Sequence, residues 1–284
     1  MATPLSAAAV LAALRAEGVR TVEVGDWRNR NRNQKGPWGP LNGSIVHHTV
    51  TKGTSSTVAM VRDGYASLPG PLCHGMIAKD GTVHMVGWGR TNHAGGGDPK
   101  VLEQVIAESY GTRPTPPTRG NSDGVDGNSR FYGWECENLG DGKDPWPKAQ
   151  YDAIVRVQAA LCRAHGWSAK SVIGHLEWSS DKVDPRGFSM QQLRADVAER
   201  LKHSASWSPG APAPTAPPKE KPAASTDSKV TALHTNLLSI GEIGTTAKGT
   251  ASGRVEHGAG YFLAHILDEV RQLRADVTAL KKEK

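Results

Sequence analysis

Six prolines fall within the fourteen residues from Pro209 to Pro222, set among Ser, Ala, Thr and Lys. Proline lacks the amide hydrogen and favours an extended, hydrated backbone, so no packed core is expected to cross this stretch. The 284-residue chain therefore reads as three parts: a body over residues 1–203, a Pro/Ala/Ser-rich linker over 204–228 and a tail over 229–284. The body is long enough for one good-sized core, expected over about 40–200 behind an N-terminal extension. The tail is too short to build a large core alone.

Within the body, strand and helix signals alternate. Residues 43–49 are a β-branched run bounded by Gly43 and ending in His47 and His48, which reads as a strand. A helix is expected over 57–65. Asp80-Gly81 between two apolar runs marks a hairpin. Residues 131–138 return to strand composition, 147–165 and 188–201 carry apolar residues at helical spacing, and 171–174 is a short strand. Residues 88–130, rich in Gly, Pro, Asn, Arg and Thr, are expected to run as a long functional loop or an excursion over the surface. The fold class is α/β, a mixed central sheet flanked by helices.

Residues 5–14 read as a helix capped by Ser6 and closed by Gly18, with Val10, Leu11 and Leu14 on one face. No Lys or Arg precedes it, and Arg15 and Glu17 follow at once, so a signal peptide is not expected. No apolar run approaches the ~20 residues that cross a bilayer. The formal charge of +6 favours anionic partners, nucleic acid or an anionic wall polymer alike. Arg28, Arg30 and Arg32 form one short cluster without interleaved aromatics, so nucleic-acid binding is not expected. Three cysteines, Cys73, Cys136 and Cys162, supply neither an even disulfide framework nor a C-x-x-C pair.

The segment from His175 to Pro185 packs a histidine, a lysine and a carboxylate behind a short strand. Pro185 favours an extended Asp184, and in extended chain Lys182 and Asp184 point the same way. Zinc accepts imidazole nitrogen and carboxylate oxygen, and a catalytic zinc takes three protein ligands. His175 and Asp184 offer two, and His47 at the end of its strand is the best-placed third.

Val46-His47-His48-Thr49, the 79–83 hairpin, His93-Ala94-Gly95, Gly133-Trp134-Glu135 and Gly174-His175 followed by Lys182-Val183-Asp184-Pro185 occur in one order. In that order they resemble the type 2 zinc-dependent N-acetylmuramoyl-L-alanine amidases, related to peptidoglycan recognition proteins and phage endolysins. The extension with Trp27 and Pro37-Trp38-Gly39-Pro40 is similar to endolysins from phages of actinobacteria. The resemblance implies a zinc-dependent hydrolase that cuts the amide between N-acetylmuramic acid and L-alanine in peptidoglycan and degrades the cell wall. It implies His47, His175 and Asp184 as zinc ligands, Glu135 as the residue that activates or orients water, and Lys182 as the cation that steadies the oxyanion.

Residue chemistry agrees, since amide hydrolysis needs a proton acceptor and a cation at the developing oxyanion. Glu135 is preferred as the base and Glu137 is second. His48 reads as a rim or core histidine in preference to a fourth ligand, His93 as a contact of substrate or zinc-bound water or as a loop-ordering residue, and Trp134 and Trp178 as core or sugar-stacking residues. Two other functions compete: a peptidoglycan-binding recognition module without hydrolysis, and a cysteine hydrolase built on Cys73. With no leader, the chain is expected to stay in the host cytoplasm and reach the wall through a membrane lesion at lysis.

In the tail, Leu263, Ile266, Val270, Leu273, Val277 and Leu280 repeat at spacings of 3, 4, 3, 4 and 3, a heptad seam that needs a facing helix. Two partners are open: a second copy of the chain, giving a homo-oligomer, or residues 229–250 of the same chain, giving a small wall-binding module.

Overall fold

Short strands of Val, Ile and aromatic residues build the core of the computed structural model, which describes residues 2–208. In chain order these are α1 (Ala7–Ala16), β1 (Thr21–Glu23), β2 (Gly43–His48), α2 (Thr54–Asp63), β3 (Gly64–Tyr65), β4 (Leu68–Pro69), β5 (Gly75–Ile77) and β6 (Val83–Met85). They are followed by β7 (Gly96–Gly97), α3 (Pro99–Ile106), β8 (Val125–Asp126), β9 (Phe131–Cys136), α4 (Lys148–His165), β10 (Val172–Gly174), α5 (His175–Trp178) and α6 (Met190–Leu201). The main sheet runs β1-β6-β5-β9-β2-β10. β5 and β6 form the antiparallel hairpin turned at Asp80-Gly81, and every other pair is parallel. This is the mixed sheet with flanking helices that the sequence predicts.

Strand alternation sorts the two faces. Val46, Tyr132, Trp134 and Val172 point to one side, where they join Leu11 and Leu14 of α1, Ile154 and Leu161 of α4 and Leu193 and Val197 of α6 in the larger core. Ile45, Phe131 and Ile173 point to the other, against Val101 and Val105 of α3 and Trp178 of α5. Trp134 and Trp178 are both fully buried, so each fills core.

Helix α1 starts as expected, with the Ser6 hydroxyl accepting the Ala9 amide hydrogen at 3.1 Å. Behind it, Glu17 is buried and accepts from Arg163 at 2.8 Å and from Arg200 at 2.5 Å, and Arg200 is itself only 2% exposed. Arg200 also donates to the carbonyls of Ala205 and Trp207, so the first residues placed in the linker from composition fold back on α6. Removing the carboxylate leaves a buried guanidinium uncompensated, a loss of about 3–5 kcal/mol. Glu17→Ala is therefore expected to lower the urea midpoint strongly, and a midpoint equal to the parent's would refute this account of the junction.

Several elements differ from expectation, among them α2, which gives way to β3 at Gly64–Tyr65 inside the helix expected over 57–65. Helix α2 begins at Thr54, earlier than its apolar residues suggest, because Glu137 satisfies amide and hydroxyl hydrogens at its start. The expected loop over 88–130 contains α3, capped by Asp98 with Pro99 in its first turn. Its signal is the i, i+4 pair Val101 and Val105, obscured by the glycines and prolines around it. β1 forms at the sheet edge through parallel pairing with β6, a non-local contact with no sequence signature of its own. The rest of the linker and the heptad tail lie outside the described residues.

Candidate metal centre

Parallel register sets the site. Gly174 of β10 pairs with Val46 of β2, and His47 of β2 pairs with Glu135 of β9, so three adjacent strands deliver His175, His47 and Glu135 side by side at their carboxyl ends. Carboxyl ends of parallel strands are where open α/β sheets place their sites. The segment after α5 then returns, its Asp184 carbonyl accepting the Leu176 amide hydrogen at 2.7 Å, which brings the Asp184 carboxylate to the two imidazoles.

His47 Nδ1 lies 2.9 Å from His175 Nδ1 and 3.1 Å from Asp184 Oδ2, and His175 Nδ1 lies 3.2 Å from the same oxygen. Among the described residues this is the one cluster of such side chains able to hold a metal ion. Ligands at 2.0–2.1 Å in a tetrahedron stand about 3.3 Å apart, close to all three separations. The donor chemistry also fits. His175 Nε2 sits 3.1 Å from the Ala94 carbonyl, which only accepts, so Nε2 carries the ring hydrogen and Nδ1 is a bare lone pair. His47 turns Nδ1 to the triangle, and its Nε2 meets His93 Nδ1 at 3.1 Å.

Charge states at neutral pH match. Burial, reinforced by the neighbouring His175, lowers His47 to about 4, so it is neutral. Imidazole nitrogen and carboxylate oxygen together form the ligand set that suits zinc.

The triad opens on a groove of about 260 Å³ whose lining includes Glu135, Lys182, His48 and His93. Lys182 and Asp184 both reach it, as their spacing predicts. Burial, with Asp184 nearby, pushes Glu135 well above the ordinary carboxyl value, against the opposing pull of Lys182. Its Oε2 is buried without a hydrogen-bond partner. Glu137 is engaged elsewhere: its oxygens accept the Gly53 amide hydrogen at 2.8 Å and the Thr54 hydroxyl at 2.7 Å. His48 is a rim residue whose Nδ1 accepts the Arg186 amide hydrogen at 3.2 Å.

The groove also carries Val50, Tyr65, Leu68 and Val183, all exposed large apolar side chains, which sequence reading missed. Isolated apolar residues in loops and two-residue strands carry no periodic signal.

The Cys73 alternative meets two obstacles. The thiol is fully buried, and that burial, with Glu135 beside it, raises it well above the usual cysteine value. The adjacent His74 has no free nitrogen, because Nδ1 accepts from the Gly133 amide and Nε2 donates to the Gly89 carbonyl, both at 2.9 Å. The basic cluster is paired off: Arg28 on Glu23 at 2.6 Å, Arg30 on Asp63 at 3.3 Å and Arg32 on the Pro69 carbonyl.

Comparison with solved structures finds similarity to the endolysin N-acetylmuramoyl-L-alanine amidase LysCS from Clostridium intestinale URNW, at 14% identity over 63% of this chain and 95% of that one, with a TM-score of 0.34. AmpDh3 from Pseudomonas aeruginosa, solved with an anhydromuramic pentapeptide, is 18% identical over 56% of this chain and 60% of its own, with a TM-score of 0.38. AmiD from E. coli, solved with anhydro-N-acetylmuramic acid-L-Ala-D-gamma-Glu-L-Lys, is 16% identical over 57% and 59%, with a TM-score of 0.33. A search of curated proteins finds no match. Residues 37–187, more than half of the chain and the stretch that contains all five candidate site residues, match the N-acetylmuramoyl-L-alanine amidase family, Amidase_2, and the chain belongs to that family.

Proposed function

We propose that this peptidoglycan amidase uses zinc to hydrolyse the amide between N-acetylmuramic acid and L-alanine, and that it is a phage endolysin that acts on the wall of its host. The observation that carries the zinc reading is the convergence of three lone-pair donors, His47 Nδ1, His175 Nδ1 and Asp184 Oδ2, within 3.2 Å of one another. A zinc ion held there would polarise the scissile carbonyl and lower the pKa of water to about 7.

The chain's own residues supply the rest. Glu135, with one oxygen free of partners, takes a proton from the attacking water and returns it to the leaving nitrogen. Lys182, on the same groove, places its ammonium beside the negative charge that develops on the carbonyl oxygen. Val50, Tyr65, Leu68 and Val183 give the groove an apolar rim that keeps water from the flanks of a bound strand.

The endolysin role places the protein in the host cytoplasm until a membrane lesion releases it. Purified protein incubated with cell walls should free L-alanine amino termini without generating new reducing sugar ends, lose that activity to a chelator and regain it with zinc. Cells making the protein in their cytoplasm should keep their turbidity until the membrane is permeabilised. Reducing ends in place of amino termini would sink the amidase assignment, and lysis without permeabilisation would sink the release route.

A further inference from the structure

We propose that His93, Ala94 and Asn128 form a clamp that fixes the ring tautomers of both metal histidines, with His93 as its positioning residue. The inference rests on the metal-site reading above. One loop dipeptide reaches both rings: the His93 side chain meets His47 Nε2 at 3.1 Å, and the Ala94 carbonyl meets His175 Nε2 at 3.1 Å.

The direction of each bond follows from the end of the chain. His93 Nε2 lies 3.2 Å from the Phe131 carbonyl, which accepts only, so Nε2 carries the hydrogen and Nδ1 is an acceptor. His47 Nε2 must then be the donor, which leaves His47 Nδ1 bare and aimed at Asp184 and His175. Without that acceptor, His47 is free to carry its hydrogen on Nδ1, where it blocks a metal. Such outer partners raise ligand basicity and hold the ring plane.

The surrounding structure is shaped for this clamp. The Asn128 side-chain oxygen accepts the amide hydrogens of His93 and of Ala94, each at 2.8 Å, pinning the dipeptide at both residues. The His93 ring lies against Gly133 of β9, where an added Cβ would stand 2.3 Å from its Cγ. Glycine at 133 is thus what lets the ring reach between the strands.

The test compares zinc affinity, read by chelator competition, in the full chain and in the variants His93→Phe, His93→Asn, Asn128→Ala and His175→Ala, with thermal melting of each apoprotein as a check on folding. His93→Phe keeps the ring volume and removes the acceptor, and should weaken zinc binding about 10- to 100-fold. His93→Asn returns an oxygen to the position of Nδ1 and should recover most of that loss, which a merely structural role would not predict. Asn128→Ala reads the same clamp from its far end and should also weaken binding, which keeps the test decisive if His93→Phe melts early. Parent-like affinity in folded His93→Phe or in Asn128→Ala overturns the clamp alone, provided His175→Ala abolishes binding. A parent chain that binds no zinc overturns the metal-site reading and the clamp with it.

Discussion

Replacing His175 by alanine is expected to abolish amide hydrolysis and leave the purified protein with substoichiometric zinc. Two lone pairs then remain where three are needed, and the several kcal/mol of carbonyl polarisation that a bound ion would supply are lost, a fall in turnover of roughly a thousandfold or more. His47→Ala and Asp184→Ala should behave alike, because the three atoms occupy corners of one triangle with sides of 2.9, 3.1 and 3.2 Å. Metal analysis beside amino-terminus release checks both halves. A folded His175→Ala protein with full zinc and full activity would remove this site from consideration.

Glu135→Gln separates chemistry from metal binding. The amide keeps the size of the side chain in its buried place but accepts no proton, so turnover should drop about 10²- to 10⁴-fold while zinc content stays at the parent level. Lys182→Ala should likewise keep its metal and lose turnover. Glu137→Ala is the informative contrast, since Glu137 is bound to the start of α2 at Gly53 and Thr54. It should lower stability and leave turnover near the parent value. If Glu137→Ala is inactive and Glu135→Gln is not, the base has been assigned to the wrong carboxylate.

Much of the site is legible along the chain because its parts are local. The strand ending in His47, the hairpin at Asp80-Gly81 and the run from His175 to Asp184 each announce themselves through period, turn residues or density of chemistry within about ten residues. The Ser6 cap and the faces of α4 and α6 are of the same kind. The loop expected over 88–130 hid α3, since glycines and prolines flank the helix on both sides, yet Asp98, Val101 and Val105 mark the helix once it is seen.

Other decisions needed the fold. Glu135 and Glu137 stand two residues apart and look equivalent on paper; only packing against α2 occupies one and leaves the other facing the groove. Cys73 and His74 are neighbours with catalytic chemistry in principle, and burial with two backbone hydrogen bonds removes it. The tautomers of His47 and His175 depend on His93 and on the Ala94 carbonyl, groups far away in sequence. By itself, the sequence determined the alternation of elements and the types of ligand available, because backbone propensity and side-chain chemistry are properties of short segments. Which lone pairs converge, which carboxylate stays free and which thiol is silenced were decided by strand register and desolvation, which exist only when distant segments pack together.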